Sequence, residues 1–282
     1  MAAQGHCALN PVSFEEKRYA IKEASVKKKI AIIGGGIGGM ETARLCAMMG
    51  HTVDLYEKTD RLGGVFIAAA APDFKEKDKE LIEWYKTQLN KLPVSIHMNT
   101  EITSLEELEA DEIVIATGAA PRKLPVPGFD QGIEAIDYLL GNKNVGDTVA
   151  VIGGGLTGCE IAYDLAKHGK KPFIVEMTDN LIKAAGICAA NSGCLRDLIR
   201  YYKIPVYLES SLKEIKNGSV LIQTPDGMQE LPCDSAVLSV GYVPGTPLAS
   251  ESSGNVHILG DAAKVGNLKT VIWGAYDLAF SF

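Results

Sequence analysis

No Cys-x-x-Cys pair occurs among the six cysteines, Cys7, Cys46, Cys159, Cys188, Cys194 and Cys233. Their long, irregular spacing reads as reduced thiols in a cytoplasmic protein rather than as a disulfide framework. Positive charge is also short: Lys plus Arg number 28 against 35 for Asp plus Glu, a net charge of −7. That excludes the basic footprint of a nucleic-acid binder. Long apolar runs are missing too. The longest uncharged run, Ser235 to Ser250, is too short and too interrupted by Pro and Gly to cross a bilayer. No apolar core follows a basic region at the N-terminus, so no signal peptide is expected. The histidines, His6, His51, His97, His168 and His257, have no metal-ligand spacing, and neither a metal nor an acid–base catalyst is assigned to them. His51 and His168 flank Gly50 and Gly169 and are expected near helix C-termini, where a cation is favourable.

What is present is a 282-residue chain with 46% hydrophobic and 22% charged residues. Its length suggests two domains at about 150 residues each, and a chain of this size buries roughly three quarters of its unfolded surface. Glycine is abundant, with 29 residues, and clustered.

Residues 1–27 lack periodicity and read as a tail or linker. The apolar run Ile30 to Ile33, a buried-strand signal, enters Gly34-Gly35-Gly36-Ile37-Gly38-Gly39. A helical pattern follows from Met40 to Met49, stopped by Gly50, and a short strand, Val53 to Tyr56, ends at Glu57. The same pattern recurs 119 residues later. Val149 to Ile152, then Gly153-Gly154-Gly155-Leu156-Thr157-Gly158, a helix from Glu160 to His168, Gly169, and a strand Phe173 to Val175 ending at Glu176 repeat it. Aligned without gaps, residues 29–58 and 148–177 share 11 identities. Between the copies, Glu80 to Leu92 is helical in pattern and Glu112 to Ala116 is a strand. Pro121, Pro125, Pro127 and Gly128 mark a crossing between domains. After the second copy come a helix near Leu195 to Tyr202, a β-rich stretch around the Pro225-Asp226-Gly227 turn, a strand Val256 to Leu259, and a helix from about Thr270.

A strand–glycine loop–helix turn is built for phosphate. Its first glycine makes the bend, its second lets backbone amides approach a pyrophosphate, and its third lets helix and strand pack closely. The phosphates then meet the positive end of the helix. An acidic residue at the end of the next strand accepts ribose hydroxyls. Here Glu57 and Glu176 each stand 23 residues after the first glycine of their loop. Two such sites in one chain imply two dinucleotides. The economical reading is FAD in one and a nicotinamide nucleotide in the other, with hydride passing between them.

Over residues 28 to 282 the chain resembles the two-dinucleotide-binding flavoproteins. The resemblance is carried by Glu57 with Arg61-Leu62-Gly63-Gly64, by Ala116-Thr117-Gly118, by Ser239-Val240-Gly241-Tyr242-Val243-Pro244 and by Leu259-Gly260-Asp261. It implies an α/β fold of two Rossmann-like, glutathione-reductase-like domains, the second inserted in the first. The implied FAD-binding domain is 28–123 plus 245–282, and the implied NAD(H)-binding domain is 124–244. The implied FAD residues are Gly34, Gly36, Gly39, Glu57, Lys58, Gly63, Gly64, Ala116, Thr117, Gly118, Gly260, Asp261, Thr270 and Val271. The implied NADH residues are Gly153, Gly155, Gly158, Glu160, Glu176 and Gly241. Asp261 reads as a ligand of the ribityl or pyrophosphate part of FAD, or as a helix N-cap. No cysteine lies between Gly63 and Pro72, which disfavours a dithiol relay. Cys188 and Cys194 are expected to be ordinary buried or loop thiols.

The phrases Gly36-Ile37-Gly38-Gly39-Met40-Glu41, Gly50-His51-Thr52-Val53 and Leu55-Tyr56-Glu57-Lys58 are similar to the C-terminal half of enoate reductases, 2,4-dienoyl-CoA reductase and trimethylamine dehydrogenase. In that family an old-yellow-enzyme-like barrel carries FMN and a 4Fe–4S cluster. Cys7-Ala8-Leu9-Asn10-Pro11 resembles the segment holding the last cluster cysteine. Cys7 thus reads as a stranded iron–sulfur ligand or as an ordinary tail cysteine, since one thiolate does not hold a cluster that needs four. The expected function is an NADH-oxidising FAD module that relays electrons to such a barrel domain. Two alternatives stand beside it: a free-standing NADH:acceptor reductase for a dye, flavin or quinone, and a non-catalytic module holding ADP or FAD. Glu176 is followed by Met177 and Thr178, with no arginine to receive a 2′-phosphate, so NADH is expected over NADPH. Lys170 and Lys171 are expected only to cap the helix end.

Overall fold

A computed structural model of the chain describes residues 5–183, 186–245, 248 and 254–282. Residues 1–4 of the expected tail, and 246–247 and 249–253 of the segment 245–282, lie outside the described residues. In chain order the elements are β1 (Lys29–Ile33), α1 (Ile37–Met48), β2 (Thr52–Tyr56), α2 (Phe66–Ala69), α3 (Glu76–Leu89), β3 (Val94–His97), β4 (Glu112–Ile115), β5 (Ala119–Pro121), β6 (Ile133–Glu134), α4 (Ala135–Leu139), β7 (Thr148–Ile152), α5 (Leu156–Lys167), β8 (Lys171–Val175), α6 (Ala189–Tyr201), β9 (Val206–Tyr207), β10 (Ser211–Lys216), β11 (Ser219–Thr224), β12 (Gly227–Pro232), β13 (Ser235–Leu238), β14 (Tyr242–Pro244), β15 (Val256–Ile258) and α7 (Leu268–Ala279). They form two units: Met1–Ala70, Phe74–Ala120 and Tyr242–Phe282 make the first, Ala71–Asp73 and Pro121–Gly241 the second.

The first unit is built on a parallel sheet in the order β15-β4-β1-β2-β3. Its central strand β1 is covered on both faces, which is why it reads as a continuous apolar run rather than an alternation. Ile30 and Ile32 pack toward Met40 and Leu45 of α1 and Ile272 of α7, whereas Ala31 and Ile33 pack with Ile113, Ile115 and Leu248. The second unit repeats the plan with the parallel order β6-β13-β7-β8-β9. Val149 and Val151 face α5, while Ala150 and Ile152 pack on the antiparallel sheet β10-β11-β12 through Val220 and Ile222. The expected mixed α/β fold of two Rossmann-like units is the one observed.

Several elements differ from expectation. Helix α1 starts at Ile37, not Met40, and so includes the loop's own Gly38 and Gly39. Glycines read as loop by propensity, but here close packing on β1 overrides that weak preference. Helices α3 and α6 begin at Glu76 and Ala189, several residues before the predicted Glu80 and Leu195. Strand β3, which reads Val-Ser-Ile-His, was not predicted. It is a half-buried edge strand of four residues, too short for a distinct alternation signal.

The expected tail is part of the first unit. Tyr19 is buried edge-on against Trp273, Tyr276 and Phe280, and its hydroxyl donates to Asp277 Oδ1 at 2.6 Å. Arg18 pairs with the same carboxylate at 2.7 Å. A single buried aromatic in an irregular segment leaves no period in the sequence.

Two charges lie in the core of this unit. Arg44 of α1 grips Glu41 through Nε and Nη2, both at 2.8 Å, and Nη2 also donates to the Tyr276 hydroxyl at 3.2 Å. Burial pushes the Glu41 carboxyl up, and the Arg44 fork opposes that shift. Deleting one member of a buried pair leaves the other charge uncompensated. Arg44→Ala is therefore expected to cost about 3–5 kcal/mol, with the double change Glu41→Gln/Arg44→Met costing clearly less; urea unfolding followed by circular dichroism measures both.

His51 departs from its expected role as a cation at a helix end. Its ring is buried, Nδ1 accepts the Lys28 amide at 3.2 Å, and burial followed by the Lys28 charge holds its pKa below the ordinary 6.5. His168 does lie at the C-cap of α5, its Nδ1 2.8 Å from the Asp164 carbonyl. Glu112 bridges Lys28 at 2.6 Å and His257 at 2.8 Å, and although burial works against ionisation, these partners hold its carboxyl below its usual 4.5. Both shifts have one sign. Below pH 6.5 the unfolded chain takes up a His51 proton that the folded chain refuses, and below 4.5 the same holds for Glu112. Stability is present above these values and is lost as pH falls. Melting temperatures should drop between pH 7 and 5, and less so in His51→Gln.

Candidate functional site

Strand β1 ends against the first glycine loop. Gly34 takes φ +109°, and a Cβ there would fall 2.5 Å from the Ala116 carbonyl oxygen, so both backbone angle and space demand glycine. Gly39, in the first turn of α1, would put a Cβ 1.9 Å from the Gly34 oxygen. Gly36 is different. Its φ is an ordinary −72°, and no described protein atom lies within 4 Å of its Cβ position. It is the N-cap of α1 and provides no side-chain cap to the amides of the first turn. Gly63 and Gly64 flank that space: the Gly63 amide donates to the Gly35 carbonyl at 2.8 Å, and the Cβ position of Gly64 is 3.1 Å from Gly36 Cα. Ala116-Thr117-Gly118 follows β4, with the Ala116 amide bonded to the Ile33 carbonyl at 2.8 Å.

The second unit repeats this arrangement. A Cβ on Gly153 would lie 2.2 Å from the Ser239 oxygen, and one on Gly158 1.9 Å from the Gly153 oxygen. Gly155 caps α5 at φ −69° and again faces open space. Ser239-Val240-Gly241 stands where Ala116-Thr117-Gly118 stands in the first unit, and Glu160 is half-buried on α5. A helix N-terminus with uncapped amides, reached over a glycine that no protein atom crowds, fits a pyrophosphate.

The two glutamates end β2 and β8 in matching networks. Glu57 Oε2 accepts the Gly35 amide at 2.8 Å, and its Oε1 accepts the Thr59 amide at 2.8 Å and hydroxyl at 2.7 Å. Glu176 Oε2 accepts the Gly154 amide at 2.6 Å, and its Oε1 accepts the Thr178 amide and hydroxyl, both at 2.8 Å. Gly35 and Gly154 were not among the expected site residues. Their Cβ positions lie 2.5 Å from Leu62 Cδ2 and 2.6 Å from Leu181 Cδ2. Thr59 and Thr178 were missed as well. The signal existed: Glu-x-Thr-Asp-x-Leu follows both strands, at 57–62 and 176–181.

Other expected residues fall as follows. Lys58 is exposed beside Glu57. Gly260 and Asp261 form a tight turn after β15, and Asp261 Oδ1 accepts the Gly266 amide at 2.9 Å. Asp261 does not cap α7; Asn267 does, in a reciprocal pair with Thr270. The Thr270 side chain is thus committed to that cap, and Val271 packs at the Cβ positions of Gly38 and Gly260, 2.8 and 2.7 Å away. The side chains of Lys170 and Lys171 do not cap the helix, although the Lys170 backbone amide does, donating to the Leu165 carbonyl at 3.0 Å. Lys170 Nζ donates to the Val145 and Gly146 carbonyls at 3.0 and 2.8 Å, and Lys171 pairs with Asp147 at 2.8 Å.

Cys7 is exposed, and its carbonyl accepts the Trp273 indole N–H at 3.0 Å. Among the described residues it joins no group of metal-ligating side chains. Cys188 is a loop thiol as expected, the exposed N-cap of α6, where the Asn191 and Ala190 amides lower its thiol pKa, whereas Cys194 is exposed on α6 itself and is neither buried nor in a loop. Burial instead pushes Cys46 and Cys159 up to about 12.

Two parallel-sheet units, each with a glycine-loop helix terminus and a strand-end glutamate, define a two-dinucleotide oxidoreductase. Residues 28–262 match the pyridine nucleotide-disulphide oxidoreductase family, and the chain belongs to that family, whose members bind FAD and NAD(P)H. It is 40% identical over 279 residues to cinnamate reductase of Clostridium sporogenes, covering 97% of this chain and 42% of that protein. It is 31% identical to NADH oxidase of Thermoanaerobacter brockii, covering 97% of this chain and 44% of that protein. A solved 2-naphthoyl-CoA reductase superposes with a TM-score of 0.89 at 30% identity, over 98% of this chain and 43% of that one. Thioredoxin reductase of T. acidophilum, at 19% identity and a TM-score of 0.74, shares the fold. The chain spans less than half the length of these curated relatives, and it corresponds to the FAD- and NADH-binding half of enoate-reductase-type enzymes. Among its described residues no helix is long and apolar enough to cross a membrane.

The geometry separates glycines whose Cβ would meet protein atoms from glycines that face open space. Gly36→Val should purify folded but without flavin, melting where the flavin-stripped native protein melts; Gly39→Ala should fail to fold. Visible absorbance and thermal melts of the two variants check this, and a yellow Gly36→Val protein would refute the site.

Proposed function

We propose that this chain is an electron-input module that takes hydride from NADH onto FAD and relays electrons to an iron–sulfur and FMN reductase domain of the old-yellow-enzyme type. The carrying observation is the relation to cinnamate reductase along nearly the whole of this chain and less than half of that enzyme. In this reading residues 28–123 and 245–282 form the FAD-binding domain, and 124–244 the NAD(H)-binding domain.

In the first unit the α1 amides beyond Gly36 hold the pyrophosphate of FAD, Glu57 accepts its ribose hydroxyls, and Gly63, Gly64 and Ala116-Thr117-Gly118 wall the cradle. Lys58, Gly260 and Asp261 lie at its margin, with Thr270 and Val271 contributing backbone and shape at the start of α7. Bound FAD supplies a two-electron acceptor for nicotinamide hydride that can also release electrons singly. In the second unit the α5 amides beyond Gly155 and Gly158 hold the NADH pyrophosphate, while Glu176 accepts the adenosine ribose hydroxyls and Glu160 and Gly241 border the same cradle. The Glu176 carboxylate repels a 2′-phosphate, which favours NADH over NADPH. Hydride transfer between bound rings needs positioning more than proton transfer, so the lack of an assigned acid–base residue fits the chemistry.

The 282-residue protein should bind one FAD, bleach with NADH in preference to NADPH, and reduce a viologen dye, without turning over cinnamate or a dienoyl-CoA and without bound iron. Anaerobic NADH consumption with each acceptor, alongside an iron assay, tests this. Alkene turnover or stoichiometric iron would overturn the relay reading; absence of flavin bleaching would favour a non-catalytic nucleotide module.

A further inference from the structure

The Glu-x-Thr networks at the ends of β2 and β8 carry a further inference. An ionised carboxylate offers about four acceptor positions. In Glu176 three are already filled, by the Gly154 amide and by the Thr178 amide and hydroxyl. A ribose diol brings two hydroxyl donors and needs two positions, yet one remains. The Thr178 hydroxyl resolves the mismatch. It carries one proton but has two acceptors at the same distance, Glu176 Oε1 and the Asn180 carbonyl, each at 2.8 Å. Turning that proton to Asn180 opens a second position on the glutamate and leaves the hydroxyl satisfied.

We propose that Thr178 is a positioning residue for the nicotinamide nucleotide: its hydroxyl orients and satisfies Glu176 in the free protein and hands over to Asn180 when ribose hydroxyls arrive. The inference rests on the assignment of NADH to the second unit. Its independent support is repetition. In the first unit Thr59 Oγ1 lies 2.7 Å from Glu57 Oε1 and 3.1 Å from the Arg61 carbonyl, with the same partners at the same offsets. Glu176 keeps a backbone donor on each oxygen throughout, so loss of the hydroxyl opens one acceptor position on Oε1 without releasing the side chain.

The test uses FAD-saturated protein, so that adenine nucleotides report only on the second unit. Calorimetric titration with ADP-ribose and with 2′-phospho-ADP-ribose is run on the native protein, Thr178→Val and Thr178→Ser. Thr178→Val, in which the second position stands open from the start, is expected to tighten ADP-ribose binding about fivefold and to widen the preference over the 2′-phosphate by a similar factor. Thr178→Ser, which keeps the hydroxyl, should restore both. In turnover the KM for NADH should fall in Thr178→Val with kcat unchanged. Native protein that binds neither ligand, or prefers the phosphorylated one, overturns the NADH assignment itself. Native preference for ADP-ribose, with affinity and preference in Thr178→Val within twofold of native, overturns only the role of Thr178. Weaker binding in Thr178→Val also overturns it, as does failure of serine to reverse a gain seen with valine, since the gain then comes from shape and not from the hydroxyl.

Discussion

The structure depends on one close approach made twice: a helix turn laid directly on the carbonyl that ends the preceding strand. At Gly39 over Gly34, and at Gly158 over Gly153, the distance leaves no space for a side-chain carbon. That contact fixes the angle at which α1 and α5 leave their sheets. It thereby aims the uncapped amides of each first turn into the space beyond Gly36 and Gly155. Sterics of the backbone set the geometry, and the electrostatics of the helix terminus uses it.

Around each loop the chain satisfies its own polar groups in a way that leaves the site prepared. The amide of the middle glycine is taken by a strand-end glutamate, and the glutamate in turn is held from behind by a threonine two residues on. Buried backbone donors must find partners. Here the partner is the same carboxylate that the dinucleotide-binding pattern assigns to ribose recognition. In the proposed reading structural satisfaction and ligand recognition fall on one side chain, which constrains both.

Elsewhere in the first unit polar burial serves the fold alone. The Arg44–Glu41 pair ties α1 to Tyr276 of α7, and Asp277 of the same helix anchors Arg18 and Tyr19 of the N-terminal segment. These contacts explain why an aperiodic stretch with no strand or helix signal belongs to a packed unit. They join residues more than 200 positions apart, and no local pattern reports them.

The sequence by itself determined the repeated strand–loop–helix unit, the parallel α/β class and the pairing of each loop with a glutamate. These rest on local rules: apolar runs for strands covered on both faces, glycines where a side chain is excluded, and acids at strand ends. Even the threonines were legible, as the continuation of the repeat past Glu57 and Glu176. Only the tertiary structure decided which glycines are enforced by packing and which face open space, because that depends on whether a distant atom, such as the Ala116 or Ser239 oxygen, occupies the space a Cβ would need. It also decided that His51 is a neutral, buried acceptor, that Cys188 and Cys194 are exposed, and that Tyr19 is core. In each case burial and partner come from elements remote in sequence, and those set protonation and exposure more strongly than the residue type does.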